Sequence, residues 1–104
     1  LEKLRRGAVL PFKKALTALK QSCQFVVISW CLDAHSSAEC PGVSAPQAEG
    51  IAVSEMMEIL QIAGRDPKVI SLGIFELNPE HDIDGRTARV AAIGAYHFLA
   101  ERLS

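Results

Sequence analysis

Two periods of apolar residues run through the chain. From Pro11 onward Phe12, Ala15, Leu16 and Leu19 recur at helical spacing, with Lys13, Lys14 and Lys20 between them. Proline is tolerated in a first helical turn, so this pattern predicts a helix over 11–22. The run Phe25-Val26-Val27-Ile28-Ser29-Trp30 is continuous and rich in β-branched residues. It predicts a strand covered on both faces, of the kind that parallel sheets contain. Residues 33–50 hold prolines, glycines and serines without periodicity, which predicts a long loop, and long ordered loops after buried strands usually carry function. Ser54 then suits a helix N-cap, with Glu55 and Glu58 in the first turns and Met56, Met57, Ile59 and Leu60 as the apolar face. This helix should stop near Gly64, with Pro67 beyond it.

A second strand is predicted over 69–75 and ends at Glu76. After a loop over 78–84, a last helix is predicted over 85–102, with Asp84 as its N-cap and alanines, Val90, Ile93 and Leu99 for close packing. The order helix, strand, helix, strand, helix is an α/β pattern. Two strands do not complete a doubly covered sheet. The chain, 1–104, therefore reads as a single domain, or as a slice of a larger one that takes further strands from elsewhere.

Composition adds mostly exclusions. The 104 residues are 49% hydrophobic and 22% charged, which is ordinary for a globular chain. The formal net charge of -1 gives no electrostatic reason to expect nucleic acid or an anionic membrane as partner. The longest apolar run, Phe25 to Leu32, is too short to span a bilayer. The first residue is Leu1 and no leader pattern follows, as in a processed or excised piece. Cys23, Cys31 and Cys40 are odd in number and form no C-x-x-C pair. Buried or half-buried thiols in a reducing compartment, the cytoplasm, are the expectation.

Ligands of open parallel α/β sheets bind outside the carboxyl ends of the strands. Here those ends carry Cys31-Leu32-Asp33-Ala34-His35 and Glu76-Leu77-Asn78-Pro79-Glu80. Carboxylates leaving two strands suit a hard divalent cation that activates water. They equally suit helix caps and loop formation. No Gly-x-Gly-x-x-Gly or Walker-type loop points to a nucleotide.

Two blocks decide more. Pro41-Gly42-Val43-Ser44-Ala45-Pro46, following Leu32-Asp33-Ala34, and Glu76-Leu77-Asn78-Pro79 with Asp82-Ile83-Asp84-Gly85-Arg86-Thr87-Ala88-Arg89-Val90-Ala91-Ala92 resemble the signatures of ureohydrolases in their formimidoylglutamase version. With the elements around them they cover most of the chain from Phe25 onward. The resemblance implies a parallel α/β/α, arginase-like fold with two manganese ions that share a hydroxide. Its implied reaction is hydrolysis of N-formimidoyl-L-glutamate, a linear amidine from histidine degradation, to glutamate and formamide.

Residue by residue, Asp33 matches the second aspartate of an Asp-x-Asp metal motif, Cys31 stands where the first belongs, and Glu76 matches the glutamate that holds the substrate amidinium. A soft thiolate is a poor partner for manganese. The family's glycine-rich histidine segment and its Asp-Ala-His-x-Asp segment lie upstream of these blocks and are not among the 104 residues. Leu32-Asp33-Ala34-His35-Ser36-Ser37 imitates the latter, but the Pro41–Pro46 block follows at the spacing of the later motif, which makes His35 a loop residue. The resemblance implies an inactive isolated chain that is part of a homo-oligomer or of a longer polypeptide. The alternative is a truncated, non-catalytic homologue with a structural or interface role. His97 is expected as a packed, hydrogen-bonded residue and His81 as a solvated one. Arg86 and Arg89 are expected to pair with nearby acids such as Asp82 or Asp84, contact with the substrate carboxylates being the alternative. Met56 and Met57 are expected as core or interface filler.

Overall fold

The computed structural model describes residues 7–104, so the expectation drawn from Leu1 lies outside the described residues. Five principal elements follow in the expected order: α1 (Val9–Ser22), β1 (Val26–Cys31), α2 (Val53–Arg65), β2 (Val69–Phe75) and α3 (Arg86–Leu103). Single 3-10 turns occupy Leu32–Ala34 and Pro79–His81.

The two strands pair in parallel, from Val26 opposite Val69 to Cys31 opposite Phe75. The register slips once, between Val26 and Val27, where β2 carries the extra residue Ile70. One extra residue reverses the facing of every side chain after it. Val69 before the slip, and Leu72 and Ile74 after it, can therefore share the inner face with Val26, Ile28 and Trp30.

One apolar cluster joins all three helices to that face: Leu16 of α1, Leu60 and Ala63 of α2, and Phe98 of α3 meet Val26, Trp30 and Val69. Each large side chain so buried stabilises the fold by about 1.5–3 kcal/mol. The helices are also tied by polar contacts. The Glu55 carboxylate of α2 accepts the Ala8 N–H at the start of α1 at 2.6 Å. The ion pair Lys20–Asp66 closes at 2.7 Å.

Coverage of both strand faces does not hold. Val27 is 66% and Ile70 56% exposed, because the cluster covers one face and no further strand or helix of the described residues lies on the other. Ser54 is not the cap of α2. Ala52 precedes the helix, and the Val53 N–H points at the Glu39 carboxylate, 3.2 Å away, so a loop residue distant in sequence does the capping. Cys23 is exposed rather than buried.

α2 and α3 make the closest helix pair, and Gly64 sets their separation. A Cβ there would lie 2.4 Å from the Phe98 carbonyl oxygen, a backbone atom with little room to yield. Gly64→Ala gains about 1 kcal/mol of helix propensity but forces the helices apart, at about 1–3 kcal/mol of overpacking cost. Urea unfolding should show a net loss of stability, larger still for Gly64→Val.

Candidate active-site edge

Parallel pairing puts the carboxyl ends of β1 and β2 side by side, with Cys31 and Phe75 as the last rung. Asp33 follows in the 3-10 turn and is half-buried. Glu76 comes directly after the last rung of β2 and is exposed. Its φ of 76° lies in the left-handed region, which costs a residue with a side chain about 1–2 kcal/mol. Nothing in the sequence pattern signals that conformation.

Among the described residues, Asp33 and Cys31 line different hollows. Asp33 lines a hollow with Ala34, Gln47, Glu49 and Ile51. Cys31 lines a different, apolar one with Phe12, Ile28, Met56 and Ile59. Glu76 lines neither. Two dications need several hard oxygen or imidazole donors converging on them. Among the described residues no group of three His, Cys, Asp or Glu side chains is so placed. These residues alone do not fit a two-manganese centre.

His35 is a loop residue, as expected, yet only 1% exposed. Its Nδ1 lies 2.6 Å from the Ile51 carbonyl oxygen, which can only accept, so Nδ1 carries the hydrogen. Its Nε2 accepts the Trp30 Nε1–H at 2.9 Å. With both ring nitrogens engaged, His35 pins the loop that carries Asp33 against β1 and holds no lone pair for a metal. The Ile51 N–H, donating to the Ala34 carbonyl at 2.9 Å, closes the same loop from the other side. The remaining histidines behave as expected: half-buried His97 lies 3.2 Å from the Gln61 side chain, and His81 is exposed.

The two sequence blocks meet in space. The Gly42 N–H donates to the fully buried Thr87 Oγ1 at 2.8 Å. The Gly42 carbonyl accepts the Asn78 N–H at 2.7 Å. Asn78 Nδ2 reaches Ser44 Oγ at 3.0 Å. A Cβ on Gly42 would meet the Asp82 side chain at 2.8 Å, so only glycine leaves Asp82 in place.

Asp82, not Asp84, caps α3: its carboxylate accepts the N–H groups of Thr87 at 3.0 Å and Ala88 at 3.1 Å. Asp84 (φ 49°) and Gly85 (φ 75°) turn the chain into the helix. Asp84 pairs with Arg86 at 3.3 Å and Arg89 at 3.4 Å.

The Arginase family model matches residues 2–100 of the chain. The chain belongs to the arginase family. It is 34% identical over 74 residues to formimidoylglutamase of Staphylococcus carnosus (strain TM300), covering 71% of this chain and 24% of that protein. It is 34% identical over 89 residues to formimidoylglutamase of Staphylococcus aureus (strain MSSA476), covering 86% and 29%. The structure superimposes on formimidoylglutamase from Bacillus subtilis with a TM-score of 0.89 and 28% identity, over 99% of this chain and 32% of that one. Arginase from Bacillus caldovelox gives 0.88 and 25% identity, over 99% and 34%. Formiminoglutamase of Trypanosoma cruzi, whose crystal structure contains Mn2+, gives 0.78 and 32% identity, over 93% and 32%. The fold is arginase-like α/β, and the chain spans 24–34% of the length of these relatives. Among the described residues no helix is long and apolar enough to cross a membrane.

Partial burial raises the Asp82 pKa, but hydrogen bonds from the Thr87 side chain and from the Thr87, Ala88 and Ile83 N–H groups outweigh it and hold the carboxyl below its ordinary 3.8. Asp84 is lowered chiefly by Arg86. A carboxyl lowered in the fold contributes stability that is present above the unfolded pKa and lost as pH falls through the folded one. Melting temperature should therefore hold steady above about pH 5 and fall below about pH 4. Asp82→Asn should lower it at neutral pH and flatten that acid limb.

Cys40 moves in the opposite sense. Burial, then the Glu39 and Asp82 carboxylates, push its thiol from 9.0 up to about 11. The unfolded thiol ionises first, so stability should decline between pH 9.0 and about 11. Iodoacetamide should modify exposed Cys23 rapidly and Cys40 only on unfolding.

Proposed function

We propose that the chain is the carboxyl-terminal part of a metal-dependent ureohydrolase domain that hydrolyses a C–N bond of a linear amidine. The substrate in this reading is N-formimidoyl-L-glutamate, released as glutamate and formamide in cytoplasmic histidine degradation. One observation supports it above the others. Asp33 and Glu76 leave the same edge of a parallel strand pair, in a chain matched to the family over residues 2–100. At that edge Glu76 holds the cationic amidinium by charge-assisted hydrogen bonds. Asp33 would supply one anionic oxygen to manganese, and Cys31 stands where the partner carboxylate would be. In a completed site the metal would provide the activated water that attacks the amidine carbon. The other donors belong to the rest of the domain, which also covers the exposed face around Val27 and Ile70. That remainder is a longer polypeptide or another copy in a homo-oligomer.

A second reading, a non-catalytic homologue with a structural or interface role, draws on the apolar surroundings of Cys31 and on the lack of a converging donor set among the described residues. A hybrid separates the two, with this chain replacing the matching third of Bacillus subtilis formimidoylglutamase. Cys31→Asp in the hybrid should tighten manganese binding by about 10–100-fold. Glu76→Gln on that background should lower formamide release by about 100-fold, the scale for losing one charge-stabilising group. Equal or weaker binding by the Asp hybrid, with a lower melting temperature, would remove Cys31 from the metal site and favour the structural reading. The 104-residue chain alone, with manganese added, should release no formamide above a chelated control.

A further inference from the structure

Glu76 sits between two anchors. Before it, Phe75 is fixed opposite Cys31 by the strand ladder. After it, Asn78 is tied to the 42–44 segment by two hydrogen bonds, its N–H to the Gly42 carbonyl at 2.7 Å and its side-chain amide to Ser44 Oγ at 3.0 Å. Gly42 is itself fixed from the other side, because its N–H donates to Thr87 Oγ1 at 2.8 Å. Thr87 lies in the first turn of α3 with 0% exposure, and its N–H rests on the Asp82 carboxylate. Only Glu76 and Leu77 bridge the distance between the anchors, and Glu76 does so at a φ of 76°. A residue with a side chain stays in that region only when its surroundings over-determine it.

We infer that the clasp Thr87–Gly42–Asn78 is a positioning device that holds the Glu76 backbone in its left-handed conformation and so aims its carboxylate. Thr87 and Gly42 act through Asn78 and are positioning residues. Packing alone does not require the hydroxyl, since valine has the shape of threonine. The hydroxyl is needed because the buried Gly42 N–H has it as acceptor. The functional meaning of the clasp rests on the reading of Glu76 as the amidinium-binding carboxylate, whereas its geometry does not.

The test is nuclear magnetic resonance on the labelled chain, where the 13Cα and 13Cβ shifts of Glu76 report the sign of φ. Thr87→Val and Gly42→Ala should lose the positive-φ signature at Glu76 or split it into two forms, while Thr87→Ser retains it. Resonances of Val27, Ile28 and Leu72, inside the strand ladder, should stay in place in all three. A folded Thr87→Val chain with an unchanged Glu76 signature would overturn the inference, whatever happens to its melting temperature. If Thr87→Val does not fold, Ser44→Ala removes only the arm from Asn78 to Ser44 and is read the same way. Movement toward negative φ supports the clasp, and an unmoved signature refutes it. No metal or substrate enters these readings, so failure here is separate from failure of the Glu76 assignment, which appears only as full formamide release by the Glu76→Gln hybrid.

Discussion

Cys31 stands opposite Phe75 at the last rung of a parallel ladder, and the arrangement of the edge follows from that pairing. Parallel strands end on the same side, so whatever follows each is delivered to one edge of the sheet. On β1 that is the turn with Asp33 and the long loop; on β2 it is Glu76 and the turn into α3. Antiparallel pairing of the same strands would send the two carboxylates to opposite ends. The inner face then decides how the edge is held. Trp30 is buried in the core and also donates from its indole nitrogen to His35, so one residue couples packing beneath the sheet to the loop above it.

Much of this was legible in the sequence, because it depends on local composition. The five-element order, the strand limits to within a residue and the edge position of Asp33 and Glu76 follow from apolar runs and from where they stop. The two blocks that carry the family resemblance were legible as text but not as structure. Glu39 caps α2 from fourteen residues away, and Asp82 rather than Asp84 caps α3. Helix-start rules see only the adjacent residue, and here the oxygen comes from four residues before α3 and from fourteen before α2. The left-handed Glu76 was hidden for the same reason, since its conformation is set by anchors on both sides. The exposure of Val27 and Ile70 was missed because a strand's composition records the cover it is built for, and the described residues supply only one side of it.

The blocks take on a mechanical reading once they are placed in space. Gly42 is needed because a Cβ there would lie 2.8 Å from the Asp82 side chain. Thr87 and Asn78 are needed for the two hydrogen bonds that Gly42 shares with them. Asp82 binds the first turn of α3 while its charge helps keep the Cys40 thiol protonated. These residues brace the edge, and Glu76 stands at the end of the braced segment.

The central claim is that this chain contributes an edge, with Asp33 and Glu76 upon it, to a manganese site whose remaining donors lie elsewhere in the domain. Electron paramagnetic resonance of Mn2+ titrated into the purified chain tests it most directly, since protein-bound ions lose the sharp six-line signal of the hexaaqua ion. The account predicts that the signal grows in proportion to added Mn2+ at micromolar concentrations, with Asp33→Ala indistinguishable from the unaltered chain. Loss of signal to a stoichiometry of two ions per chain, abolished by Asp33→Ala, would show a complete centre within these 104 residues and contradict it.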